Sequence, residues 1–98
     1  MMSLECHITV KCSSLQVDHL QILVESLGWS FSQITNDPLL GKDTFCYATN
    51  HYETLAHAIQ YTIALSEALQ LAGFTVLRRK VEQIMMDERY QQDEWRTV

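Results

Sequence analysis

The chain has 98 residues, 47% hydrophobic and 19% charged, with three glycines and one proline, which suits one globular core and excludes a disordered chain or two independent cores. Twelve acidic against seven basic residues leave a net charge of −5, which argues against sequence-independent nucleic-acid binding through a generally basic surface. No segment approaches the roughly 18 uninterrupted apolar residues of a membrane span, and Met1 to Cys6 lack a signal-peptide pattern, so a cytoplasmic domain with no membrane partner is expected.

Residues 4–12 alternate, with Leu4, Cys6, Ile8, Val10 and Cys12 on one side and Glu5, His7, Thr9 and Lys11 on the other, which predicts a half-buried strand. Ser13 with Gln16 has capping-box spacing and opens a helix over 15–27, in which Val17, Leu20, Leu23, Val24 and Leu27 recur at helical spacing until Gly28 stops it. Residues 29–35 read as a second strand, broken by Asn36, Asp37 and Pro38, with Leu39 and Leu40 at the hairpin tip. The return strand, 43–49, sets Phe45, Tyr47 and Thr49 against Cys46 and Ala48, a pattern that leaves its buried face undecided.

Asn50 with Glu53 predicts the start of a helix over 52–72, in which Leu55, Ile59, Thr62, Ile63, Ser66 and Leu69 form the stripe toward a sheet and His57, Gln60, Glu67 and Gln70 lie opposite. Gly73 ends that helix and residues 74–86 form a last strand, followed by a polar tail, 87–98, that carries Tyr90 and Trp95. Strand, helix, strand, strand, helix, strand is the order of the split βαβ motif. It predicts a single α+β domain, a ferredoxin-like βαββαβ sandwich: a four-stranded antiparallel sheet in the order 4-1-3-2, two helices on one face and the other face open.

On the open face this topology gathers His7, Thr9 and Lys11 of the first strand with Arg78, Lys80 and Glu82 of the last, since opposed side chains on paired strands stand roughly 4.5 to 5.5 Å apart. A small anionic ligand suits that set, although solvation alone also requires an uncovered sheet face to be polar. His7-Ile8-Thr9-Val10 has the H-x-T-apolar form and resembles one half of the signature of the two-histidine phosphoesterases, which implies a phosphoesterase-like use of His7, Thr9 and Lys80. No second H-x-T or H-x-S occurs, so the paired acid and base of that chemistry are missing.

No G-x-S-x-G elbow, glycine-rich phosphate loop or H-E-x-x-H occurs, and no catalytic residue or cofactor is assigned. Cys6, Cys12 and Cys46 are an odd number without C-x-x-C spacing, which predicts buried reduced thiols and no metal site. Cys46 and His51 lie near one another in sequence, but a mid-strand thiol reads as structural. The first strand has no aromatic on which to stack a base, which makes nucleic acid an unlikely partner.

The leading expectation is a non-catalytic binding or assembly module, a homodimer or a partner of another protein. Its contacts would be Val81, Ile84, Met85 and Met86 of the final edge strand with Tyr90 and Trp95 of the tail. A further alternative is an acidic inhibitor or accessory factor of a nucleic-acid enzyme, presenting Asp87, Glu88, Asp93 and Glu94 to a basic partner.

Overall fold

Strict alternation in the first strand organises the domain. In the computed structural model, which describes residues 3–34 and 43–84, that strand is β1 (Ser3–Ser13), and it lies inside the sheet. A single 3₁₀ turn (Ser14–Gln16) leads into α1 (Val17–Ser26), and then follow β2 (Ser30–Ile34), β3 (Asp43–Tyr52), α2 (Leu55–Leu71) and β4 (Thr75–Ile84). The sheet has four strands in the order β2-β3-β1-β4, with all three pairings antiparallel. The even-numbered residues of β1, from Leu4 to Cys12, are each exposed by 5% or less. They meet Cys46 and Ala48 of β3, Leu20 and Val24 of α1, and Ala58, Leu65 and Leu69 of α2 in one core, so both helices cover the same face. The odd-numbered residues of β1 are left on the other face.

Local chemistry fixes the ends of the elements. The side-chain carbonyl of Gln16 accepts from the backbone N–H and the hydroxyl of Ser13, both at 3.2 Å, as the capping-box spacing predicts. Gly28 and Gly73 adopt φ of +85° and +93° after the two helices, the left-handed turn that glycine enters without steric cost. Each reversal is closed by a bond to the helix from the residue that follows: Trp29 N–H donates to Val24 and Phe74 N–H to Leu69, and both aromatics are buried. No helix among the described residues is long and apolar enough to cross a membrane.

Two expectations are corrected. β3 runs three residues past the predicted end at 49, because the ladder with β1 continues through Cys6–Asn50, Glu5–His51 and Leu4–Tyr52. The second helix therefore starts at Leu55, and its N-cap is Thr54, whose Oγ1 accepts from the His57 N–H at 3.2 Å. Asn50 serves the strand end instead, donating to the Gly28 carbonyl and the Tyr52 hydroxyl. Thr54→Ala is expected to cost about 1 kcal/mol, seen as a lower thermal midpoint with the sheet signal unchanged.

The second correction concerns the face of α2. Of the predicted stripe, Thr62, Ser66 and Leu69 are buried as expected, whereas Leu55, Ile59 and Ile63 are exposed and Ala58 and Leu65 are buried in their stead. Both stripes satisfy helical spacing. The side that carries Ala58, Thr62 and Ser66 beside Leu65 and Leu69 faces the sheet, and its small residues let the helix lie close on β1, where the Cys6 thiol is 3.8 Å from the Ala58 carbonyl. Ser66 is then placed to accept from Arg79 of β4 at 3.2 Å.

In β4 the register slips between Thr9, opposite Arg78, and Val10, opposite Val76, which leaves Leu77 as an extra residue. Beyond that bulge Arg78, Lys80 and Glu82 share the open face, while Arg79 and Val81 turn to the helix side. This half of the last strand decides what the open face carries.

Candidate ligand site on the open sheet face

β1 carries the centre of the open face. His7 stands opposite Thr49 on β3 and Lys80 on β4, and Thr9 stands opposite Tyr47 and Arg78. These six side chains, with Ser32 reaching from β2, line a depression of about 390 Å³. The walls offer an ammonium, a guanidinium, an imidazole and four hydroxyls. Among the described residues, no carboxylate lines the depression. A guanidinium can donate two parallel hydrogen bonds to a planar or tetrahedral anion, and the ammonium and hydroxyls add single donors around it.

Of the residues expected in this patch, His7, Thr9, Arg78 and Lys80 line the depression. Glu82 adjoins it, with its Oε2 3.1 Å from the Lys80 ammonium. Lys11 is on the same face one step further along β1, opposite Phe45 and Thr75. Sequence reasoning missed Tyr47 and Thr49 because residues 43–49 alternate two sets that are both partly apolar, so the exposed side of β3 could not be chosen, and Ser32 of β2 was missed with them because it stands opposite Tyr47.

It also missed the end of the face beside Glu5. His7 Nε2 lies 2.5 Å from Glu5 Oε1 and 3.5 Å from Glu82 Oε1, while Glu5 Oε2 lies 3.4 Å from His51 Nε2. The other imidazole nitrogen, His7 Nδ1, is 3.2 Å from Thr49 Oγ1. Opposite charges thus meet in sequence across the sheet, from the carboxylates at one end to the cations of the depression. The signal for His51 was its position two residues beyond Thr49 on the same strand face, but the predicted strand stopped too soon for it to count.

The thiols belong to the other side of the sheet. Cys46 is 1% exposed, and burial pushes its pKa from the ordinary 9.0 up to about 12, with the neighbouring Cys12 adding to the rise. Burial likewise raises Cys6, partly opposed by the hydroxyl of Thr62. Cys46 faces the helices and His51 the open side, so the two do not form a nucleophile and base.

The residues expected to hold a partner are divided by the pleat. Val81 packs against the core from the helix side, whereas Ile84, opposite Ser3, has the parity of the open face. Met85, Met86, Tyr90 and Trp95 lie outside the described residues, as do Leu39, Leu40 and the acidic residues Asp87, Glu88, Asp93 and Glu94.

Fold and site together define an α+β domain with one helix-covered sheet face and one polar, cupped face. No protein-family model matches the sequence, and no curated protein is similar enough to it to count as a relative.

Proposed function

We propose that this chain is a small binding domain of the ferredoxin-like class, whose open sheet face takes a phosphate-bearing or similarly anionic ligand. The β2-β3-β1-β4 order with both helices on one face supports that placement of the fold. The observation that carries the ligand reading is the depression in which Arg78, Lys80, His7 and four hydroxyls converge and which no carboxylate lines among the described residues, in a protein whose net charge is −5. A face that needed only to stay wet would mix charges throughout, as its Glu5 end does. Here Arg78 and Lys80 stand beside hydroxyl donors, with Glu82 paired to Lys80 at the rim. Tyr47 adds a flat surface for a ring attached to the anion.

Binding suits the site better than turnover. His7 and His51 both turn toward Glu5, so the phosphoesterase-like alternative lacks a second imidazole aimed into the depression. The test is thermal denaturation with inorganic phosphate, followed by a panel of sugar phosphates and nucleotides. At least one anion is expected to raise the midpoint. Arg78→Ala and Lys80→Ala are each expected to weaken that ligand by about 10- to 100-fold, the value of one charge-assisted hydrogen bond. If no anion in the panel shifts the midpoint, the reading fails.

A second reading, assembly with another copy, is favoured by a different surface from the final edge strand. Leu55, Ile59 and Ile63 are exposed along α2, and a largely apolar groove of about 550 Å³ runs past Leu27, Trp29, Tyr52 and Tyr61. β4, in contrast, carries Arg78, Arg79 and Lys80 and a bulge, features that discourage edge-to-edge pairing. Sedimentation of wild type and Ile59→Glu separates the two: a dimer that this substitution dissociates supports assembly through the helices, and a monomer at high concentration removes it.

A further inference from the structure

The carboxylate end of the open face has the donor set of a metal site. Glu5 stands opposite His51 on β3 and Glu82 on β4, and His7 is the next residue along β1 on the same face. Ligand atoms from Glu5, His7 and Glu82 all lie within 4.8 Å of one another. In a tetrahedral shell with bonds of about 2.0–2.2 Å, neighbouring ligand atoms stand about 3.3–3.6 Å apart, so rotamer-scale adjustments bring these atoms onto one ion. His51 Nε2 is not one of those clustered atoms, but it lies 3.4 Å from the other oxygen of Glu5, so it would complete the shell by turning its exposed ring.

Orientation favours the same conclusion. Two carboxylate oxygens converge on one nitrogen, His7 Nε2. A single proton there bonds well to only one of them, whereas a divalent cation satisfies both carboxylates and the imidazole lone pair together. The contact of Nδ1 with Thr49 Oγ1 is the outer partner that fixes the ring of a metal-ligating histidine and leaves Nε2 free to coordinate. Lys80 holds the other oxygen of Glu82, which keeps Oε1 turned to the cluster.

We propose that Glu5, His7 and Glu82, with His51 as fourth ligand, bind a divalent transition-metal ion of the zinc class. Two imidazole nitrogens favour zinc and its neighbours over calcium or magnesium, which prefer all-oxygen shells, and the two carboxylates neutralise the ion's charge. The buried cysteines lie on the opposite face and contribute nothing. His7 is shared with the anion depression, whereas Glu5, His51 and Glu82 do not line it, so variants at Glu5 and His51 test the metal site without removing a wall of the depression.

The experiment is calorimetric titration of the full chain, stripped with a chelator, with zinc chloride, together with the absorption spectrum of the cobalt-loaded protein. A single equivalent of zinc should bind, and cobalt should give ligand-field bands without a thiolate charge-transfer band. Glu5→Gln and His51→Ala should each weaken zinc by at least about tenfold while circular dichroism stays that of the wild type. The His51 side chain is 49% exposed, so its replacement carries the test where Glu5→Gln fails to fold. Absence of zinc binding, unchanged affinity in His51→Ala, or a thiolate band would each overturn the proposal.

Discussion

Ile8→Ala is expected to lower the unfolding free energy by about 2–5 kcal/mol, read as a fall in the urea midpoint at constant m. Ile8 is 0% exposed in a strand hydrogen-bonded on both sides, opposite Ala48 on β3 and Arg79 on β4. Ala48 has no further atoms with which to fill the space, and β1 cannot shift without breaking ladders to both neighbours. The cavity should therefore persist, which puts the cost in the upper part of that range. Against a typical total of about 5–15 kcal/mol, this one change removes a large share of the stability. Ile59→Ala, on the outer side of α2 where the side chain is 45% exposed, should cost no more than about 1 kcal/mol. Equal costs for the two isoleucines would show that α2 presents a different face to the sheet.

That pair of residues also marks where sequence patterns stop being sufficient. The alternation of β1 determines its buried side, because a period of two admits only two choices and one of them holds all the apolar residues. In α2 two stripes share the helical period, and hydrophobicity alone prefers Leu55, Ile59 and Ile63. The sheet keeps Thr62, Ser66 and Leu69 of the predicted stripe but takes Ala58 and Leu65 in place of Leu55, Ile59 and Ile63, because small residues at Ala58, Thr62 and Ser66 let the helix lie close. β3 repeats the lesson: Thr44, Cys46 and Ala48 are buried and the larger Tyr47 faces out.

Four of the seven residues lining the candidate anion site were legible for the same reason. His7, Thr9, Arg78 and Lys80 follow from the parity of two strands and the expected neighbour order. Thr49, Tyr47 and the Glu5–His51 contact depend on the register between β1 and β3, and residues 38 to 46 positions apart meet there only once that register is set. The bulge at Leu77 is a further feature without a local signature. It lets Arg78 share the open face with Lys80 while Val76, two residues earlier, faces Val10 across the core side.

Above pH 9 the domain is expected to lose stability through Cys46. In the unfolded chain this thiol ionises near its ordinary value of 9.0, whereas burial holds it protonated in the folded protein to about 12. Between these values the folded state binds a proton that the unfolded state has released, so each pH unit lowers the unfolding free energy by about 1.4 kcal/mol. Below pH 9 both states are protonated and the contribution is fully retained; above about 12 both are ionised and the loss is complete. Over the whole interval the loss from this thiol is about 4 kcal/mol, comparable with the removal of Ile8. Cys6 and Tyr52 are raised in the same direction, so the alkaline decline of the wild type is a sum. Cys46→Ala isolates one part of it: urea denaturation of both proteins across this range should give a difference that is flat to pH 9 and then changes by about 1.4 kcal/mol per unit. A difference that stays flat to pH 12 would show that the thiol is not held protonated by the core. The same burial leaves Cys46 without thiolate at neutral pH, so no nucleophilic role is expected of it there.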